Sequence, residues 1–172
     1  MRVPLAIFAA IVISANAFAT TRGFSWDSMV LYQPDEDLRV RIEPQGLADY
    51  CKQLEKVCTN HFASETTPER LDIVVGLKPG RKVRVWFVSS RRSSEAPSLI
   101  ALKKKLEAVP AYSVRNGPVA FALRCSIAGG SPEPKAKGDF QPPMPKEWRD
   151  AAVKAKRDLL VPDGMFKQIW PD

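Results

Sequence analysis

Leu71-Asp72-Ile73-Val74-Val75-Gly76-Leu77, then Lys78-Pro79-Gly80-Arg81, then Lys82-Val83-Arg84-Val85-Trp86-Phe87 is the stretch that decides the fold. Leu71, Ile73, Val75 and Leu77 occupy every second position, and Val83, Val85 and Phe87 resume the alternation after the break. Successive strand side chains point to opposite faces, so each run reads as a strand with one buried face. Proline presets its backbone angle and glycine tolerates a positive one, so the four intervening residues predict the turn of a β-hairpin. The other face of that hairpin carries Asp72, Lys82, Arg84 and Trp86.

Toward the N-terminus, Leu47, Tyr50, Cys51, Leu54, Val57, Cys58 and Phe62 recur at threes and fours, which predicts a helix over 47–62 with one buried stripe. Toward the C-terminus, Leu99, Leu102, Leu106 and Val109 predict a second helix within 95–109, with Lys103-Lys104-Lys105 largely outside its stripe. Pro97 fits only the first turn of that helix. Asn116-Gly117-Pro118 reads as a turn, and Val119, Phe121, Leu123, Cys125 and Ile127 alternate as a further core strand. Leu38, Val40 and Ile42 alternate as well, so Leu38 to Glu43 is expected as a short strand ended by Pro44 and Gly46. The expected class is α+β: two helices packed on a small, mostly antiparallel sheet.

The chain ends read differently. Met1-Arg2, the apolar run Leu5 to Ile13 and the small residues Ala15, Ala17 and Ala19 make the three parts of a cleavable secretory signal over 1–19. That run is too short for a membrane-spanning helix, which needs about 20 apolar residues. A periplasmic or secreted location is therefore expected, with no membrane span after cleavage. Residues 20–37 are expected to be an irregular lead-in with Trp26 and Tyr32 as packing points, and 38–130 to be the α+β domain. Residues 131–145, which hold Pro132, Pro134, Pro142, Pro143 and Pro145, read as an extended arm. Within 146–172, Trp148, Ala152, Ala155 and Leu159 predict a short helix and Pro162-Asp163-Gly164 a turn. Met165, Phe166, Ile169 and Trp170 then form a tail expected to dock on the domain or on a partner.

The single histidine, His61, excludes His-rich metal sites and any scheme that needs two imidazoles. Cys58-Thr59-Asn60-His61 has a Cys-x-x-His spacing but no second ligand pair, and a Cys/His nucleophile would need an exposed, electropositive thiol where these positions read as buried. Neither a phosphate-cradling glycine loop nor a nucleophile elbow is present. No catalytic residue, metal or cofactor is implied. Cys51 and Cys58 are separated by about 10.5 Å along one helix, beyond the roughly 4.4–6.8 Å a disulfide allows between Cα atoms. A bridge from either Cys51 or Cys58 to Cys125 is the remaining pairing, with three buried thiols as the alternative.

Lysine and arginine total 26 against 19 acidic residues, a net charge of +7. Arg81, Lys82, Arg84, Arg91 and Arg92 form the candidate partner surface, and Trp86 beside Arg84 either belongs to it or is covered by the C-terminal segment. Export turns such a surface away from nucleic acid and toward a protein partner or an anionic envelope polymer.

The order helix, hairpin, helix, strand over about 46–128 resembles the C-terminal periplasmic domain of TonB-type and TolA-type proteins. The residues that carry the likeness are Val83-Arg84-Val85-Trp86-Phe87-Val88-Ser89-Ser90 after a glycine turn, the Leu99 to Val109 helix, and Asn116-Gly117-Pro118-Val119 opening the last strand. The resemblance implies a domain that contacts envelope proteins rather than one that catalyses. The expected function is an exported binding or accessory protein. The alternatives are an immunity-type inhibitor of a toxin or hydrolase, and a thiol-dependent enzyme using Cys58 or Cys125.

Overall fold

The computed structural model describes residues 23–130, 142–155 and 162–171. In chain order these form β1 (Phe24–Leu31), α1 (Asp35–Arg41), α2 (Pro44–His61), β2 (Glu69–Lys78), β3 (Lys82–Ser89), α3 (Pro97–Glu107), β4 (Val119–Ile127), α4 (Lys146–Ala155) and α5 (Pro162–Ile169). The expected signal segment and residues 131–141 of the proline-rich arm lie outside the described residues. No helix among the described residues is long and apolar enough to cross a membrane.

The four strands make one sheet in the order β1-β4-β2-β3, with every neighbouring pair antiparallel. β2 and β3 are the hairpin read from the sequence, paired from Leu71 with Ser89 to Lys78 with Lys82. Because β1 and β2 both run against β4, they are parallel to each other with β4 between them. β3 and β4 likewise flank β2. Each parallel pair needs a crossover, and helices supply both: α1 and α2 for the first, α3 for the second.

The α2 and α3 stripes pack on one face. Leu47, Tyr50, Cys51, Leu54 and Cys58 from α2 and Leu99, Leu102 and Leu106 from α3 meet Leu71, Ile73, Val75, Leu77, Phe121, Leu123, Cys125 and Ile127 in the main core. Strand alternation sends Val30, Val74, Trp86, Ala120 and Ala122 to the opposite face. That face is covered by the C-terminal helices, whose Trp148, Met165 and Phe166 are each 1% exposed. The division of sizes explains the fit: Gly76, Ala120 and Ala122 keep the middle of the sheet shallow, and the large rings come from the helices. Burying one such ring contributes about 1.5–3 kcal/mol.

α5 is also fastened at both ends. At its start, Arg41 donates to both carboxylate oxygens of Asp163 at 2.7 and 3.1 Å, and to the carbonyl of Pro118 at 2.8 Å. At its end, Lys78 donates to the carbonyl of Trp170 and Arg84 to that of Ile169, at 2.5 and 2.7 Å. Both arrangements suit the helix dipole, with an acid in the first turn and cations at the last carbonyls. The indole of Trp86 donates to Glu147 of α4 and stacks on Phe166, ring centroids 5.9 Å apart.

Three expectations are corrected. Residues 24–31 are an edge strand, not an irregular lead-in, since they pair with β4 from Phe24 opposite Ile127 to Leu31 opposite Phe121. Leu38 to Glu43 is not a strand: 35–41 is helix α1, with Pro34 extended before it and Asp35, Glu36 and Asp37 in its first turn, where acids favour a helix start. Pro162-Asp163-Gly164 is not a turn but the opening of α5, with proline at the position that lacks a helical hydrogen bond in any case.

Candidate functional site

None of the three cysteines is bridged in the structure, and all three are buried in the main core. Burial first, and the nearby Glu55 carboxylate second, pushes the thiols of Cys51 and Cys58 up to about 12. Burial likewise holds the Cys125 thiol well above its ordinary value. Such thiols carry almost no thiolate at neutral pH and make poor nucleophiles. His61 sits at the end of α2 with its ring edge-on to Phe62 and Nδ1 3.5 Å from Nζ of Lys105. Burial, and then the Lys105 ammonium, hold its pKa below the ordinary value. Among the described residues no group of three or more His, Cys, Asp and Glu side chains is placed to hold a metal ion.

The residues picked out as a partner surface are dispersed by the fold. Trp86 is 4% exposed beneath α4 and α5, so it is a core residue and not a contact residue. Arg84 is committed to α5 and lies 5.8 Å from the centre of the Trp170 ring. Arg92 pairs with Glu65 and, at 2.9 Å, with the buried carboxylate of Glu69, which needs that partner to be tolerated in the interior. Arg91 is exposed beside Arg92 beyond the far end of β3, while Arg81 and Lys82 are exposed at the hairpin turn. The span of β3 is about 23 Å, so these two groups do not form one surface. The open sheet edges are also guarded. On β3 the N–H of Val85 donates to Glu107 of α3 at 2.9 Å, and β1 is interrupted by a bulge at the exposed Asp27.

Arg81 instead belongs to a concavity that sequence reasoning did not find. A cleft of about 320 Å³ lies between the first half of α2, the hairpin turn and the α3–β4 connection. Gly46, Asp49, Tyr50 and Gln53 form one wall, Pro110, Ala111, Tyr112 and Ser113 another, and Arg81 stands at the turn. Glu43 and Tyr112 fix its shape. The Glu43 carboxylate accepts from the N–H groups of Gln45 and Gly46 at 2.9 and 2.6 Å, capping α2, while Tyr112 donates to the Glu43 carbonyl at 3.0 Å and accepts from the Glu43 N–H at 2.6 Å. Gly46 makes this possible, because a Cβ there would stand 2.7 Å from the Tyr112 ring.

The polar groups of the cleft are in differing states. Asp49 accepts from Lys52 at 3.0 Å and from Gln45 at 3.1 Å, and these bonds hold its carboxyl below the usual range. The Tyr50 hydroxyl is buried without a hydrogen-bond partner among the described residues. Arg81 has φ +60°, a left-handed backbone that a non-glycine residue adopts at a cost of about 1–3 kcal/mol. The signal that could have pointed here is Gly46 itself: a glycine inside the first turn of a helix marks a close approach, and the sequence reading took it as a strand ending.

No protein-family model matches the chain, and no curated protein and no solved structure matches it.

Proposed function

We propose that this is an exported binding protein that acts through protein–protein contacts at the cell envelope, and that the Arg81–Tyr112 cleft is its contact surface. The observation that carries the reading is the rigid mounting of an aromatic wall next to a cation. Tyr112 is held by two hydrogen bonds to Glu43, and Arg81 is presented from a strained turn. Tyrosine and arginine in a pre-shaped recess are the residue types that dominate binding at protein interfaces, because they bring large contact area and directed donors with little left to order. The expected partner segment places a carboxylate against Arg81 and an apolar side chain against Pro110 and Tyr112. The export signal over 1–19 and the resemblance to envelope-contact domains support the same reading.

Site-specific photo-crosslinking tests it. A photoreactive residue at the exposed Gln53, inside the cleft, is compared with one at the exposed Lys167 on α5. A discrete adduct formed in envelope fractions from position 53, absent from position 167 and abolished by Arg81→Glu, is the expected result. Equal adducts from both positions, or an adduct from 53 that Arg81→Glu leaves intact, would rule the cleft out as the contact surface.

A further inference from the structure

The three buried cysteines play no part in the proposed contact surface, and their places in the fold are not equivalent. Cys125 lies on the face of β4 that meets α2 and α3, flanked by Trp26 of β1 and Leu71 of β2. α2 ends over that same end of the sheet. Its cap residue Phe62 stacks on Phe24 at 6.0 Å, and Phe24 is paired with Ile127. Stepping back from this contact, Cys125 is two residues along β4, about 7 Å, and Cys58 is four residues along α2, about 6 Å. Cys51 is a further seven residues along the helix, about 10 Å beyond Cys58. Both Cys58 and Cys125 are fully buried in the same cluster. After burial, Cys58 is also the largest influence on the Cys125 thiol.

We infer that Cys58 and Cys125 are the pair that closes as a disulfide in the mature protein, leaving Cys51 as a thiol. Its occurrence in the cell rests on the proposed export to an oxidising compartment; the pairing itself rests on the register of α2 against β4. The chemistry is thiol–disulfide exchange with a small-molecule or enzyme disulfide as oxidant. One of the two thiols loses its proton and attacks a sulfur of the donor, breaking the donor S–S bond and releasing one donor thiol. The second, also deprotonated, attacks the mixed disulfide, forms the Cys58–Cys125 bond and releases the other donor thiol. Two cysteine thiols are oxidised and one donor disulfide is reduced to two thiols. Because burial leaves so little thiolate in the native state, the exchange belongs to folding, while these sulfurs are still reachable.

The test is to reduce and unfold the full chain, refold it in a glutathione redox buffer, block the remaining thiols, and map unreduced peptides. The expected product has lost the mass of two hydrogen atoms, carries only a Cys58–Cys125 linkage, and is blocked at Cys51 alone. Cys51→Ser should refold to the same linkage, and its oxidised form should melt at a higher temperature than its reduced form. A Cys51–Cys125 linkage overturns the inference. So do three blocked thiols in refolded protein whose melting temperature is the same in oxidising and reducing buffer. The same mapping on protein taken from its native cells, together with its N-terminal sequence, separates the two readings: a bridge that forms on refolding but is absent from a native chain that keeps residues 1–19 refutes export and leaves the pairing standing, whereas its absence from a chain cleaved after the signal overturns the inference.

Discussion

Gly76→Ala is the sharpest test of the way the C-terminal helices are seated. Gly76 lies near the end of the inner strand β2, and a Cβ built there would stand 2.6 Å from Cζ of Phe166 and 2.9 Å from Cζ3 of Trp86. Both rings are almost fully buried and stack on each other, and both touch Trp148 and Trp170, so neither can move alone. Two opposed effects set the sign. Alanine restricts the unfolded chain and by itself would stabilise by about 0.4–1 kcal/mol. Overpacking a filled core costs about 1–3 kcal/mol, and contacts this short put the cost in the upper part of that range. The net expectation is a loss of about 1–2 kcal/mol, seen as a fall of several degrees in Tm. Thermal unfolding combined with amide hydrogen exchange over α5 reads both the size and the place of the loss. Phe166→Leu shortens the clashing ring, so in a double-mutant cycle the two substitutions should couple by at least about 0.5 kcal/mol. Unchanged or raised stability in Gly76→Ala, with α5 amides as protected as before, would show that Phe166 does not sit against β2.

Further predictions follow the same packing. Trp86→Ala should cost about 3–5 kcal/mol in urea unfolding, since it empties the centre of the second core; a loss below about 1 kcal/mol would mean that the indole is not covered. Asp163→Ala should cost about 1 kcal/mol, because the carboxylate is partly exposed, and should raise hydrogen exchange in the first turn of α5 with little change in α2. His61 has a folded pKa below its unfolded value, from burial and then from Lys105, so its contribution is complete above about pH 6.5 and is lost as pH falls from there through the folded value. Denaturation midpoints measured against pH should therefore lose part of their decline over that window in His61→Gln, and an identical decline would place the loss elsewhere.

Much of the main core could be read from periodicity. The hairpin, α2, α3 and β4 each present an unbroken stripe of one period, so their pattern and their burial coincide. β1 gave no such signal because its bulge at Asp27 breaks the alternation between Trp26 and Ser28, and the strand exists through its pairing with β4 some hundred residues away. In α1 the alternation of Leu38, Val40 and Ile42 was accidental: Leu38 is buried but Val40 is 57% exposed. There the proline followed by three acids was the truer signal. The greasy tail was legible as something that docks, and Trp86 as something it could cover, because bare aromatic residues need burial. The cleft was not legible. Its walls come from three separated segments, and its shape depends on how closely Tyr112 approaches Gly46, a distance that no linear spacing encodes.

The second core also imposes an order of events. The last strand ends at Ile127, whereas the residues that cover the far side of the sheet lie in α4 and α5, from Lys146 onward. A chain that emerges N-terminus first, from a ribosome or a translocation pore, can therefore complete its sheet while Val30, Val74 and Trp86 still face water. For that interval it offers a flat apolar panel to chaperones and to other nascent chains, and a nonsense or frameshift truncation after Gly130 would make the interval permanent. The selective value of the final helices would then appear first as escape from aggregation and degradation during synthesis.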